Sequence, residues 1–138
     1  SPPAPWRRTH QAGTRAHATE SGPLTDTPYP IKTRFEDERG TNPQELLGAA
    51  HAGCFSMALS LILQKAGIES KRIDTEAKVR LDKVDGGFAI IGVHLITRVE
   101  APGADPETFE KAANDAKAGC PVSQVIDTEI TLEATLVN

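Results

Sequence analysis

The chain has 138 residues, enough for one domain with a real hydrophobic core, and a net charge of -4. That charge, with no basic run, argues against nucleic acid as a partner, and the 4% aromatic content removes the stacking platforms that single-strand binders need. Two cysteines are too few for a secreted disulfide scaffold, and the opening Ser-Pro-Pro-Ala-Pro-Trp-Arg-Arg has no apolar signal core, so a reducing, cytoplasmic setting is expected.

Residues 1–41 are rich in Pro, Gly, Thr and charge. Arg15–Thr19 reads as a strand, Glu20-Ser21-Gly22-Pro23 as a turn and Ile31–Phe35 as a short strand. Thr41-Asn42-Pro43-Gln44-Glu45 is a strong helix start. Asn42 suits the N-cap, Pro43 the first helical position, and Glu45 the third, as in a capping box. The helix should run to about Ala66, with Gly67 at its left-handed C-terminal position. Leu46–Leu63 is uncharged and as long as a minimal membrane span, but it carries His51, Ser56 and Ser60 and lacks an aromatic belt. It is read as the central buried helix of a soluble protein. Being apolar on nearly every side, it should be buried on nearly every side, and a second copy of the chain is the simplest cover.

Ile73–Asp82 alternates with Ile73, Ala77, Val79 and Leu81 on one face, a half-buried strand. Asp85-Gly86-Gly87 turns it back into Phe88–Val99, with Ile91, Val93 and Leu95 on one face. Asp105 caps a second helix that starts at Pro106, buries Phe109, Ala112, Ala113 and Ala116, and ends near Gly119. Thr128–Val137 alternates as a last strand. The order predicts an α+β fold in a single domain, 1–138.

The chemistry rests on Cys54 and Cys120. A structural zinc site wants four Cys or His ligands at set spacings, and no C-x2-C or H-x3-H pair exists, so no metal is expected. Either cysteine alone reads as an inert core thiol. As a pair they are unequal: Cys54 lies inside the apolar helix, whereas Cys120, between Gly119 and Pro121, is placed to cap a short helical turn and gain thiolate character. A redox pair also needs a cationic or hydrogen-bonding stabiliser; His51 is one turn from Cys54, although a satisfied buried histidine is its commoner reading.

Gly40–Leu46 followed by Ala49-Ala50-His51-Ala52-Gly53-Cys54-Phe55-Ser56-Met57 resembles the reactive-cysteine helix of the OsmC/Ohr family of peroxide reductases. Lys117-Ala118-Gly119-Cys120-Pro121-Val122-Ser123 resembles that family's second-cysteine motif, and Thr33-Arg34-Phe35 its arginine segment; His51 and Cys-Pro-Val-Ser look more like the OsmC branch. The resemblance implies an intertwined homodimer, with long central helices packed against antiparallel β-sheets. It implies a thiol-dependent peroxidase in which Cys54 attacks the peroxide, Cys120 closes a disulfide, and Arg34 brings positive charge to the thiolate. No bound cofactor is implied; the reductant would be an external dithiol, typically lipoyl groups. The acidic residue that orients the arginine is open: the family's position is Gln44 here, with Glu45 next to it. Glu45 is the candidate and Gln44 the alternative. A redox-responsive or small-hydrophobic-ligand-binding dimer without turnover is the competing reading.

Overall fold

The computed structural model describes residues 42–137 and three short strands before them. The chain divides into two compact units, Ser1–Leu46 and Leu47–Asn138. In the first, β1 (Trp6–Arg7), β2 (Thr14–His17) and β3 (Thr27–Pro28) form an antiparallel sheet in that order. The predicted turn at 20–23 and the predicted strand at 31–35 lie outside the described residues.

Helix α1 spans Pro43–Lys65. Its start follows the sequence logic: the Asn42 side chain accepts a hydrogen bond from the Glu45 backbone N–H at 2.9 Å, and the Asn42 carbonyl accepts from Leu46 N–H. At the other end Gly67, with φ 81°, reverses the chain. Ile68 N–H bonds back to the Leu63 carbonyl and Gly67 N–H to that of Gln64, the paired bonds of a Schellman cap, and Ile68 packs on the core that holds Leu63.

The second unit is built on a three-stranded sheet, β4 (Arg72–Val84), β5 (Gly87–Glu100) and β6 (Glu129–Val137), with β5 in the centre. β4 and β5 form the expected hairpin, with Gly86 and Gly87 at positive φ in the turn. Its register slips between Arg80 and Leu81, so Ile91 is an extra residue on β5. β6 runs parallel to β5, so the sheet is mixed. The reason is the connection: α2 (Pro106–Gly119) and α3 (Pro121–Val125) carry the chain back to the end of the sheet where β5 began. Asp105 caps α2, its carboxylate accepting from both the backbone N–H and the hydroxyl of Thr108.

The core lies on one face of the sheet. Phe55, Leu59 and Leu63 of α1 and Phe109, Ala112, Ala113 and Ala116 of α2 close over Val93, Leu95 and Val99 of β5. Gly48 lets α1 sit close on β4: a Cβ there would stand 3.0 Å from the Ala77 carbonyl oxygen and 3.3 Å from Val79 Cγ2. A hydroxyl ladder ties the same elements together, Ser56 to Thr75 at 2.7 Å and Thr75 to Thr97 at 2.9 Å.

α1 is long and apolar enough to cross a membrane by length and composition, and its apolar faces predict cover from the sheet on one side and from a second copy of the chain on the rest. Its buried residues, Gly48, His51, Ala52, Phe55, Leu59 and Leu63, mark one face. Met57 and Leu61 on other faces are 76% and 52% exposed. Among the described residues, three strands and one short helix pair supply cover for one side of α1.

The close approach at Gly48 is testable. Gly48→Val should destabilise the protein by about 1–3 kcal/mol in urea unfolding, because the obstructing atom belongs to strand backbone. Native stability in this variant would show that α1 can ride further from β4.

Candidate active site

Cys54 lies midway along α1, half-buried, and Cys120 is fully buried at the junction of α2 and α3. Cys120 serves both helices. Its backbone N–H donates to the Ala116 carbonyl and ends α2, while its carbonyl accepts from Gln124 N–H and starts α3. Its sulfur takes the place of an N-cap oxygen, accepting from the Ser123 backbone N–H at 3.4 Å. Pro121 fills the first position, where a missing N–H costs nothing. The cap read from Gly-Cys-Pro is therefore present.

The two thiols, 66 positions apart in sequence, are neighbours in space, and each perturbs the other's proton affinity. Both are free. Burial pushes the Cys54 thiol up; the Val122 backbone N–H opposes this, and the hydrogen bond and charge of Cys120 add to the rise. Burial also works against ionisation of Cys120, yet donors outweigh it. The Ser123 hydroxyl, the Ser123 N–H, Cys54 and the Val122 N–H together bring the Cys120 thiol below its ordinary value. The two thiols titrate as a pair, with donors gathered on Cys120 and burial acting on Cys54. The helix-capping position of Cys120 predicts thiolate character there, and the donors around its sulfur agree with that.

Sequence reasoning left His51 undecided, and the structure gives it a partner. His51 is fully buried, and its Nε2 lies 2.7 Å from Ser123 Oγ, which in turn lies 3.3 Å from Cys120 Sγ. A signal for this existed. His51 stands three residues before Cys54 and Ser123 three residues after Cys120, so each shares a face with its cysteine once the thiols are known to meet. Burial lowers the His51 pKa, so the ring is neutral at pH 7.

The other predicted site residues are not brought into this cluster by what is described. Arg34 lies outside the described residues. Glu45 is exposed in the first turn of α1, where its backbone N–H makes the cap bond to Asn42; Gln44 beside it is half-buried. No group of three His, Cys, Asp or Glu that could hold a metal ion is found among the described residues.

Comparison with known proteins bears on the same residues. A family model described as OsmC-like protein matches residues 35–135, which contain both cysteines. The chain is 55% identical to peroxiredoxin OsmC of Escherichia coli over 133 residues, 96% of this chain and 93% of that protein. It is 31% identical to the organic hydroperoxide resistance protein OhrB of Bacillus subtilis over 118 residues, 84% of this chain and 85% of that one. The crystal structure of that OhrB superposes with a TM-score of 0.67 and 26% identity, covering 98% of this chain and 96% of the other.

The buried histidine has a consequence for acid stability. Its folded pKa lies below the ordinary 6.5, so between the two values the unfolded chain binds a proton that the folded chain refuses. Its contribution is complete above about pH 6.5 and is lost as pH falls toward the folded value. Urea unfolding at pH 7.5 and 5.5 should show a smaller acid loss in His51→Gln than in the native protein. An equal loss in both would mean that His51 titrates normally.

Proposed function

We infer the reaction from one premise: the chain belongs to the OsmC family. It is a thiol-dependent peroxidase that reduces organic hydroperoxides, and hydrogen peroxide, to alcohol or water. The observation that carries this reading is the meeting of Cys54 and Cys120, with Cys54 the more accessible of the two.

Cys54 thiolate attacks the outer peroxide oxygen. The O–O bond breaks, the alkoxide leaves and takes a proton, and Cys54 becomes a sulfenic acid. Cys120 thiolate then attacks the Cys54 sulfur, the S–O bond breaks, water leaves with one more proton, and the Cys54–Cys120 disulfide forms. An external dithiol, a lipoyl group in this reading, reduces that disulfide by exchange. The sum is ROOH plus dithiol giving ROH, water and the dithiol's disulfide. These steps need no bound cofactor.

Arg34 answers a need that the thiol pair creates. Burial pushes the Cys54 thiol up, so a cation close to its sulfur would favour the thiolate that attacks peroxide, and an arginine stays charged at every working pH. Glu45, or Gln44 in its place, would orient that guanidinium. A homodimer is the assembly, supported by Met57 and Leu61, which stand exposed beside a groove of about 490 Å³ between α1 and the start of β4. The whole chain, 1–138, acts as one unit in the cytoplasm, where dithiols are kept reduced.

Steady-state assays with cumene hydroperoxide, hydrogen peroxide and a dithiol test the reading. Cys54→Ser should lower turnover to the rate of dithiol and peroxide alone. Cys120→Ser should allow one turnover and leave Cys54 over-oxidised or trapped on reductant. Full activity in both variants would defeat the reading, and would favour a redox-responsive or ligand-binding protein.

A further inference from the structure

The thiol mechanism accounts for Cys54 and Cys120 but leaves unused a fully buried imidazole and a buried hydroxyl in contact with each other. We propose that His51 and Ser123 are positioning residues for Cys120: His51 holds the Ser123 hydroxyl in the one orientation that donates to the Cys120 sulfur, keeping that sulfur ready as thiolate. The proposal rests on the two-cysteine reading above and deepens it.

The direction of the relay follows from which hydrogen bonds can be made. Neutral imidazole carries one N–H. His51 Nδ1 is buried with no hydrogen-bond partner among the described residues. A proton on Nδ1 would be a buried donor without an acceptor, the costlier kind of unmet group. On Nε2 the same proton donates to Ser123 Oγ at 2.7 Å. The Ser123 oxygen, accepting from His51, directs its own hydrogen to Cys120 Sγ at 3.3 Å, beside the Ser123 backbone N–H at 3.4 Å. Every proton in the chain points toward the sulfur, an arrangement that suits an anion there. Among the described residues, the titratable groups facing Cys120 are Cys54 from α1 directly and His51 from α1 through Ser123; α3 supplies hydroxyl and backbone donors, and no carboxylate or ammonium from α2 or α3 acts on it.

Two steps of the cycle draw on this device. When Cys120 attacks the Cys54 sulfenic acid, it is already deprotonated in part. When a reductant thiolate opens the disulfide, the lower-pKa sulfur leaves faster. The S–S bond breaks with its electron pair going to Cys120, and the new bond joins the reductant sulfur to Cys54, the half-exposed partner.

The test reads the Cys120 thiolate itself, in full-length protein with Cys54→Ser, by the pH profile of iodoacetamide alkylation and by thiolate absorbance near 240 nm. Ser123→Ala should slow alkylation at pH 7 by about tenfold and move the profile to higher pH, the effect of losing one hydrogen bond to an anion. His51→Phe should slow it by about threefold, whereas His51→Gln, whose amide can still donate to Ser123, should return it to within about twofold of native. Unshifted profiles in Ser123→Ala and His51→Phe would overturn the relay, and so would equal losses in His51→Gln and His51→Phe, which would show packing rather than donation. If Ser123→Ala does not fold, the pair of His51 variants decides alone. No peroxide enters this experiment, so its failure is distinct from a failure of the peroxidase reading, which would show as turnover without Cys54.

Discussion

A long helix with almost no charge has to be covered, and the arrangement of the second unit is a response to that constraint. Six positions of α1 face the sheet and its flanking helix, and they hold the core residues Phe55, Leu59 and Leu63. The same contact sets Cys54 at a fixed height over the sheet and brings His51 inward. Gly48 permits the close seating, the Ser56–Thr75–Thr97 ladder fixes the helix along its axis, and the Schellman cap at Gly67 turns the chain into β4. A thiol on an exposed helix would meet solvent on most sides. Here it meets the other half of its own chain.

Cys120 arrives at that point by a different physical route. It stands at a corner between two helices, where backbone groups without helical partners are concentrated. Its sulfur is held by the corner's own donors rather than by side-chain charge. This explains why two chemically identical thiols differ: burial acts against ionisation of both, but only Cys120 has a set of donors large enough to reverse it.

Much of this was legible in the residues. Asn42, Asp105 and Cys120 announced three helix starts because capping is local chemistry. The strands showed themselves by alternation, and the faces predicted for Ile73, Ala77, Val79 and Leu81 are the half-buried ones. What stayed hidden was non-local. Periodicity cannot tell which side of an all-apolar helix faces the sheet, and the exposed Met57 and Leu61 show the cost of that silence. Nothing in Thr128–Val137 says whether the strand lies parallel or antiparallel to its neighbour; the length of the returning connection does. The His51–Ser123 bond joins residues 72 positions apart and becomes visible once the two cysteines are known to meet.

The corner at Cys120 carries one more consequence. In the proposed cycle a single sulfur atom is both reactant and architectural element, so changing it ordinarily alters chemistry and shape together. Alanine would remove the thiol and also strip α3 of its cap, a loss of about 1 kcal/mol at the very spot where reactivity is being judged. Serine is different. Its oxygen is a better N-cap than sulfur, so it removes the redox chemistry while leaving the corner standing. The fold thus has a built-in way of separating what the atom does from what the atom supports.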